Sequence, residues 1–84
     1  MSKVERATYE DMSYAEFMEI LKIEIGDFIR HAESGKMVRY QGLRARKKSM
    51  RLRELFKIYR IKSIQQERKI AEIYRTAKNE VKNT

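Results

Sequence analysis

Between Leu43 and Val81 the chain runs for 39 residues without a glycine or a proline. These are the two residues that most strongly punctuate secondary structure, so a stretch without them has few options other than one long helix. At the α-helical rise it makes a rod of about 58 Å. Proline is absent from the whole sequence and glycine occurs three times. That is too little turn chemistry for an all-β fold, which needs a signal every 8–12 residues or so. Residues 1–84 are read as a single all-α domain with a thin core, because a chain this short has a high ratio of surface to volume.

Apolar spacing carries the same reading. Leu52, Phe56, Tyr59, Ser63, Gln66, Ile70, Ile73 and Ala77 recur at intervals of four and three, with Leu55, Ile58, Ile61 and Ile64 beside them. This is a coiled-coil seam interrupted by two polar residues. Upstream, Tyr14, Met18, Leu21, Ile25, Phe28 and Ala32 form a second seam, widened by Phe17, Ile20 and Ile29. Ser13-Tyr14-Ala15-Glu16 fits a capping box, as does Ser2-Lys3-Val4-Glu5, so the first helix spans about 13–34 or about 3–34. Gly26 is a candidate for a close helix–helix approach. Gly35 is expected to end the helix in a left-handed conformation, residues 35–42 to connect, and Gly42 to mark the start of a second helix over about 43–81. The expected architecture is an antiparallel hairpin of two long helices. Spare apolar surface at Phe17, Ile20, Ile61, Ile64 and Tyr74 would be covered by pairing two hairpins into a homodimeric four-helix bundle.

Charge is sorted along this framework. From Lys36 to Lys62 there are eleven Lys/Arg against one acid, Glu54, a local net of +10, whereas residues 1–35 sum to −4 and residues 63–84 to +2. A solvated helix face normally interleaves signs at i,i+4, and this one does not. Unbalanced like charge destabilises a compact state until a polyanion neutralises it. The candidate phosphate ligands are Lys36, Arg39, Arg44, Arg46, Lys47, Lys48, Arg51, Arg53, Lys57 and Arg60. On a helix Arg44, Lys48 and Arg51 flank the seam on one side, and Arg46, Arg53, Lys57 and Arg60 on the other. Tyr40, beside Arg39, is a candidate for base stacking, whereas Tyr59 falls on the seam and reads as core. The acidic first helix is expected to face away from DNA.

The stretch Arg44-x-Arg46-x-x-Ser49-x-x-Leu52-x-x-Leu55-x-Lys57-x-Tyr59-Arg60-x-x-Ser63-Ile64-x-x-Glu67 resembles the helical region of the small bacterial histone-H1-like proteins, the chlamydial type and its Bacteroidetes relatives. Leu21, Glu24, Phe28, Glu33, Gly35 and Lys36 align with the same region, so the resemblance covers about residues 17–67. It implies sequence-independent DNA binding in a nucleoid-associated, chromatin-organising role, a helical self-associating module, and Arg44, Arg46 and Arg60 as carried-over cations. Residues 63–84 carry mixed charge where that family has a Lys/Ala/Pro-rich tail. Met37-Val38-Arg39-Tyr40 stands where small alanines are usual. Ser49 and Ser63 are expected to bond the carbonyl of the preceding turn.

Other chemistry finds little support. Cysteine is absent and His31 is the sole histidine, so neither a thiolate nor a zinc ligand set is available. No phosphate-binding loop or nucleophile elbow occurs. No catalytic residue, metal, cofactor or small-molecule substrate is expected, and no membrane partner, since no apolar run approaches the ~20 residues that span a bilayer. A cytoplasmic, nucleoid-associated location follows from this reading. The rival readings are an RNA-binding helical dimer, using the same cations, and a helical interaction module docking on an acidic protein.

Overall fold

The computed structural model describes the backbone of residues 1–82 and the side chains of residues 1–79. It contains three helices, α1 (Lys3–Asp11), α2 (Tyr14–Ser34) and α3 (Arg39–Lys82). Both candidate starts are used, each through its N-cap serine, which is why there are three helices rather than two. The Ser2 hydroxyl accepts from the Glu5 amide at 3.1 Å, and the Ser13 hydroxyl from the Glu16 amide at 3.2 Å. Met12 and Ser13 are both extended, with ψ of 152° and 158°. The two expected start points are therefore two separate helices with a sharp reversal between them.

The order of contacts fixes the path. α2 runs antiparallel to α3: Tyr14 lies near Tyr59 with ring centroids 6.5 Å apart, Asp27 pairs with Lys48, and His31 Nδ1 meets Gln41 Oε1 at 2.6 Å. α1 folds back parallel to α3, from Glu5 at Arg51 to the Met12 carbonyl at Lys62. α3 is thus flanked by two helices over its middle section.

That flanking rotates the core away from the expected seam. The buried cluster is Phe17, Leu21, Leu52, Leu55 and Ile58, with Ala45 also buried and Tyr9, Met12, Met18, Ile25, Phe28 and Tyr59 packed around it. Leu55 is fully buried, whereas Phe56, assigned to the seam, is 48% exposed. The seam assumes one partner helix; α1 adds a second on the side of Arg51, Ile58 and Lys62, and the centre of the buried face moves to Leu55. Phe17, expected to be spare surface, is also fully buried, with its ring edge-on to Tyr9 of α1 at 6.2 Å.

The corner between α2 and α3 is shorter than expected, because α3 begins at Arg39 and Gly42 lies inside it. Gly35 is right-handed (φ −65°, ψ −15°), not left-handed. It is needed for space: a Cβ there would stand 2.7 Å from the Gly42 Cα and 3.2 Å from the His31 carbonyl oxygen. The close approach expected at Gly26 occurs here instead, for a Cβ on Gly26 would meet nothing within 4 Å.

Past Gln66 each of residues 67–79 is exposed. The result is an elongated molecule, 66 × 26 × 15 Å, with a three-helix body at one end and a single projecting helix at the other. Val81, at the end of the expected second helix, lies outside the described side chains.

Candidate nucleic-acid interface

The ten cations singled out in the sequence divide into two groups. Lys48 and Arg51 face the other two helices. Lys48 pairs with Asp27 of α2. Arg51 donates to Glu5 Oε2 at 2.9 Å and to the Tyr9 hydroxyl at 2.6 Å, and lies 3.7 Å from Glu24 Oε2. The acids of α1 and α2 are therefore not all turned away from the basic helix, since Glu5, Glu24 and Asp27 point into it. The hydrogen bond from Lys48, joined by Arg30, holds the Asp27 carboxyl below the usual carboxylate range despite some desolvation. For Arg51, partial burial opposes the charge, but Glu5, Tyr9 and Glu24 outweigh it and raise its pKa. Both cations are thus engaged by carboxylates of α1 and α2.

Lys62, the last base of the block, is buried. Its Nζ donates to the Glu10 carbonyl at 2.9 Å and to the Met12 carbonyl, and lies 5.7 Å from the centre of the Phe17 ring. Helix C-terminal carbonyls lack intrahelical donors, and a cation there also complements the macrodipole. Lys62 is thus a cap for α1 supplied by a residue 52 positions away from Glu10. No local signal marks this role, since a lysine among eleven bases looks like its neighbours.

The remaining cations lie on the outer face and at the corner. Arg46, Arg53 and Arg60 are spaced seven residues apart, nearly two full turns, so they form one stripe opposite the packed face, at intervals of about 10.5 Å along the axis. Lys57 shares that stripe and makes an exposed pair with Glu54 at 3.5 Å, an interaction worth little in water. Arg44 Nη2 donates to the Tyr40 hydroxyl at 2.6 Å, and its guanidinium carbon lies 4.6 Å from the ring centre. That contact covers one face of the ring proposed for stacking. Among the described residues, the side chains of Lys36, Arg39, Arg46, Lys47, Arg53 and Arg60 make no ion pair. Ser49 donates to the Arg46 carbonyl at 2.6 Å, the preceding turn, as expected.

At the corner, a hollow of about 460 Å³ is lined by Gly35, Lys36, Met37, Arg39, Gly42, Leu43 and Arg46. The first turn of α3 contains no acid of its own to offset the positive dipole end of the helix, and the Gln41 and Gly42 amides donate to the Val38 carbonyl. Lys36, Arg39 and Arg46 border this one concavity, and Arg46 also begins the Arg46–Arg53–Arg60 stripe.

Among the described residues, no group of three or more His, Cys, Asp or Glu side chains is placed to hold a metal ion. No described helix is long and apolar enough to cross a membrane. No protein-family model matches this chain, and no curated protein or solved structure matches it either.

Proposed function

We propose that this protein binds duplex DNA without sequence preference, through phosphates, in the manner of a histone-H1-like, nucleoid-associated protein and without catalysis. One observation carries the reading: Lys36, Arg39, Arg46, Lys47, Arg53 and Arg60 make no ion pair among the described residues, while Lys48, Arg51 and Lys62 of the same block are held by α1 and α2. A surface meant only for solubility has no reason to separate the two sets. The arginines offer forked donors suited to phosphate oxygens. Their two-turn interval is close to the axial advance of about three nucleotides along one strand, roughly 10 Å. The sequence carries no recognition-helix pattern of a helix-turn-helix or homeodomain. Phosphate contact alone fixes position without reading sequence.

The test is a gel-shift titration with unrelated duplexes across salt, with structured RNA as competitor. With about five to eight phosphates neutralised per protomer, log affinity falls against log salt with a slope of about −4 to −7, alike for every duplex. An affinity insensitive to salt, or no binding at low salt, refutes the proposal. Preferential retention by RNA moves it to an RNA-binding role with the same residues.

A further inference from the structure

The projecting half of α3 carries the apolar stripe of the core into open solvent. Ile70, Ile73 and Ala77 continue the four-and-three spacing of Leu52, Leu55, Tyr59 and Gln66 on one helix face, with Tyr74 at its edge. Ile70, Ile73 and Tyr74 are 58%, 63% and 71% exposed. Covering this stripe would remove its apolar surface from water, so the projecting half of α3 gains from a partner. Within the described chain, α1 and α2 are already committed to the middle of α3.

We infer that a second copy of the chain covers this face, the two α3 ends pairing antiparallel. Charge argues for this occupant over a strongly acidic or basic one. Residues 63–84 sum to only +2, against +10 for residues 36–62, so the stripe is framed by nearly balanced charge. With Ile70 set opposite Ile73 of the second copy, the positions flanking the stripe bring Glu67 beside Tyr74 and Lys69 beside Thr76, and no like charges oppose each other there. Parallel pairing, in contrast, sets two +10 segments side by side, and a like-charge juxtaposition of that size opposes association. This pairing differs from the face-to-face bundle expected from sequence, which drew on Phe17, Ile20, Ile61 and Ile64 as well as Tyr74.

Antiparallel pairing has a geometric consequence. From the corner to the middle of the pairing segment is about 35 residues, so the two basic tips stand about 100 Å apart at opposite ends of a rod. Resting on the DNA reading above, the dimer is a bridge that holds two duplex segments at once rather than wrapping one.

Sedimentation equilibrium of the full chain, at a salt concentration that suppresses nucleic-acid binding, tests the pairing. A concentration-dependent dimer is expected, abolished by Ile70→Glu with Ile73→Glu. The exposed α2 control Ile23→Glu leaves it intact. A chain that stays monomeric to millimolar concentration, or a dimer indifferent to the double substitution, overturns the pairing. Because the chain has no native cysteine, dyes can be placed singly. Strong energy transfer between Arg75→Cys copies and none between Met37→Cys copies is expected, and strong transfer at Met37→Cys overturns the antiparallel arrangement. Bridging is read as capture of a labelled duplex by a second, immobilised one. The double variant binds each duplex with the wild-type salt slope but captures none. Wild-type dimer that binds duplex without capture overturns the bridge, whereas a dimer that binds no duplex refutes the DNA reading and leaves the pairing intact.

Discussion

Gly35 and Gly42 are in backbone contact across the α2–α3 corner: a methyl group on Gly35 would stand 2.7 Å from the Gly42 α-carbon. The methyl would be fixed to the Gly35 backbone and the Gly42 α-carbon is main chain, so neither can swing aside, and the crossing must open to admit a side chain. His31 and Gln41, joined at 2.6 Å, tie the same corner.

Glycine substitutions therefore have opposite signs along this chain. Gly35→Ala is expected to destabilise by about 1–3 kcal/mol, the usual cost of overpacking. Gly26→Ala meets nothing within 4 Å in an exposed helix interior, and is expected to stabilise by up to about 1 kcal/mol. Urea denaturation of the two variants checks the pair.

Lys62→Met keeps the length of the side chain and removes the donor. The carbonyls of Glu10 and Met12 are then left without their partner, at a cost of about 1.5–3 kcal/mol for hydrogen bonds to a charged group. The damage falls on α1, so amide exchange is expected to quicken over Lys3–Asp11 while the α2–α3 core stays protected. Leu55→Ala, at a fully buried position, is expected to cost about 2–5 kcal/mol and to affect all three helices.

Stability is expected to decline at both ends of the pH range. The Asp27 carboxyl is depressed in the folded state, chiefly by the Lys48 hydrogen bond. Its contribution is present above the ordinary value of 3.8 and is lost as pH falls through the lower folded value. Tyr14 is raised above its ordinary 10.0, by desolvation first and then by its hydrogen bond with Tyr59. Its contribution is present below pH 10 and is lost as pH rises through the folded value. Denaturation midpoints against pH check this: the gap between wild type and Asp27→Asn closes in acid, and that for Tyr14→Phe closes at high pH.

The division of the cations predicts two kinds of variant. Arg46→Ala, Arg53→Ala and Arg60→Ala together are expected to leave the fold unchanged and to make the salt slope shallower by about 3, roughly one unit for each phosphate no longer neutralised. Arg51→Ala is expected to loosen α1, through Glu5 and Tyr9, with little change in slope. Circular dichroism and duplex titrations on the same preparations separate the two.

Much of the helical framework was legible in the sequence. Both capping boxes, the helical seams, the Gly/Pro-free run and the charge segregation depend on residues within a turn or two of each other, and local spacing encodes them directly. The sequence also placed Arg46, Arg53, Lys57 and Arg60 on one face and Arg44, Lys48 and Arg51 on another, of which Arg44 bonds Tyr40 rather than α1 or α2. Which face is outermost is a different matter, because it depends on where α1 returns. Its short segment folds back through contacts between residues 46 and 52 positions apart, Glu5 with Arg51 and Glu10 with Lys62. Helical periodicity defines faces but not the number of neighbours laid against them. Tertiary packing alone therefore centred the core on Leu55, turned three bases of a uniform basic block into internal partners, set Gly35 rather than Gly26 at the close approach, and left Ile70 and Ile73 facing water.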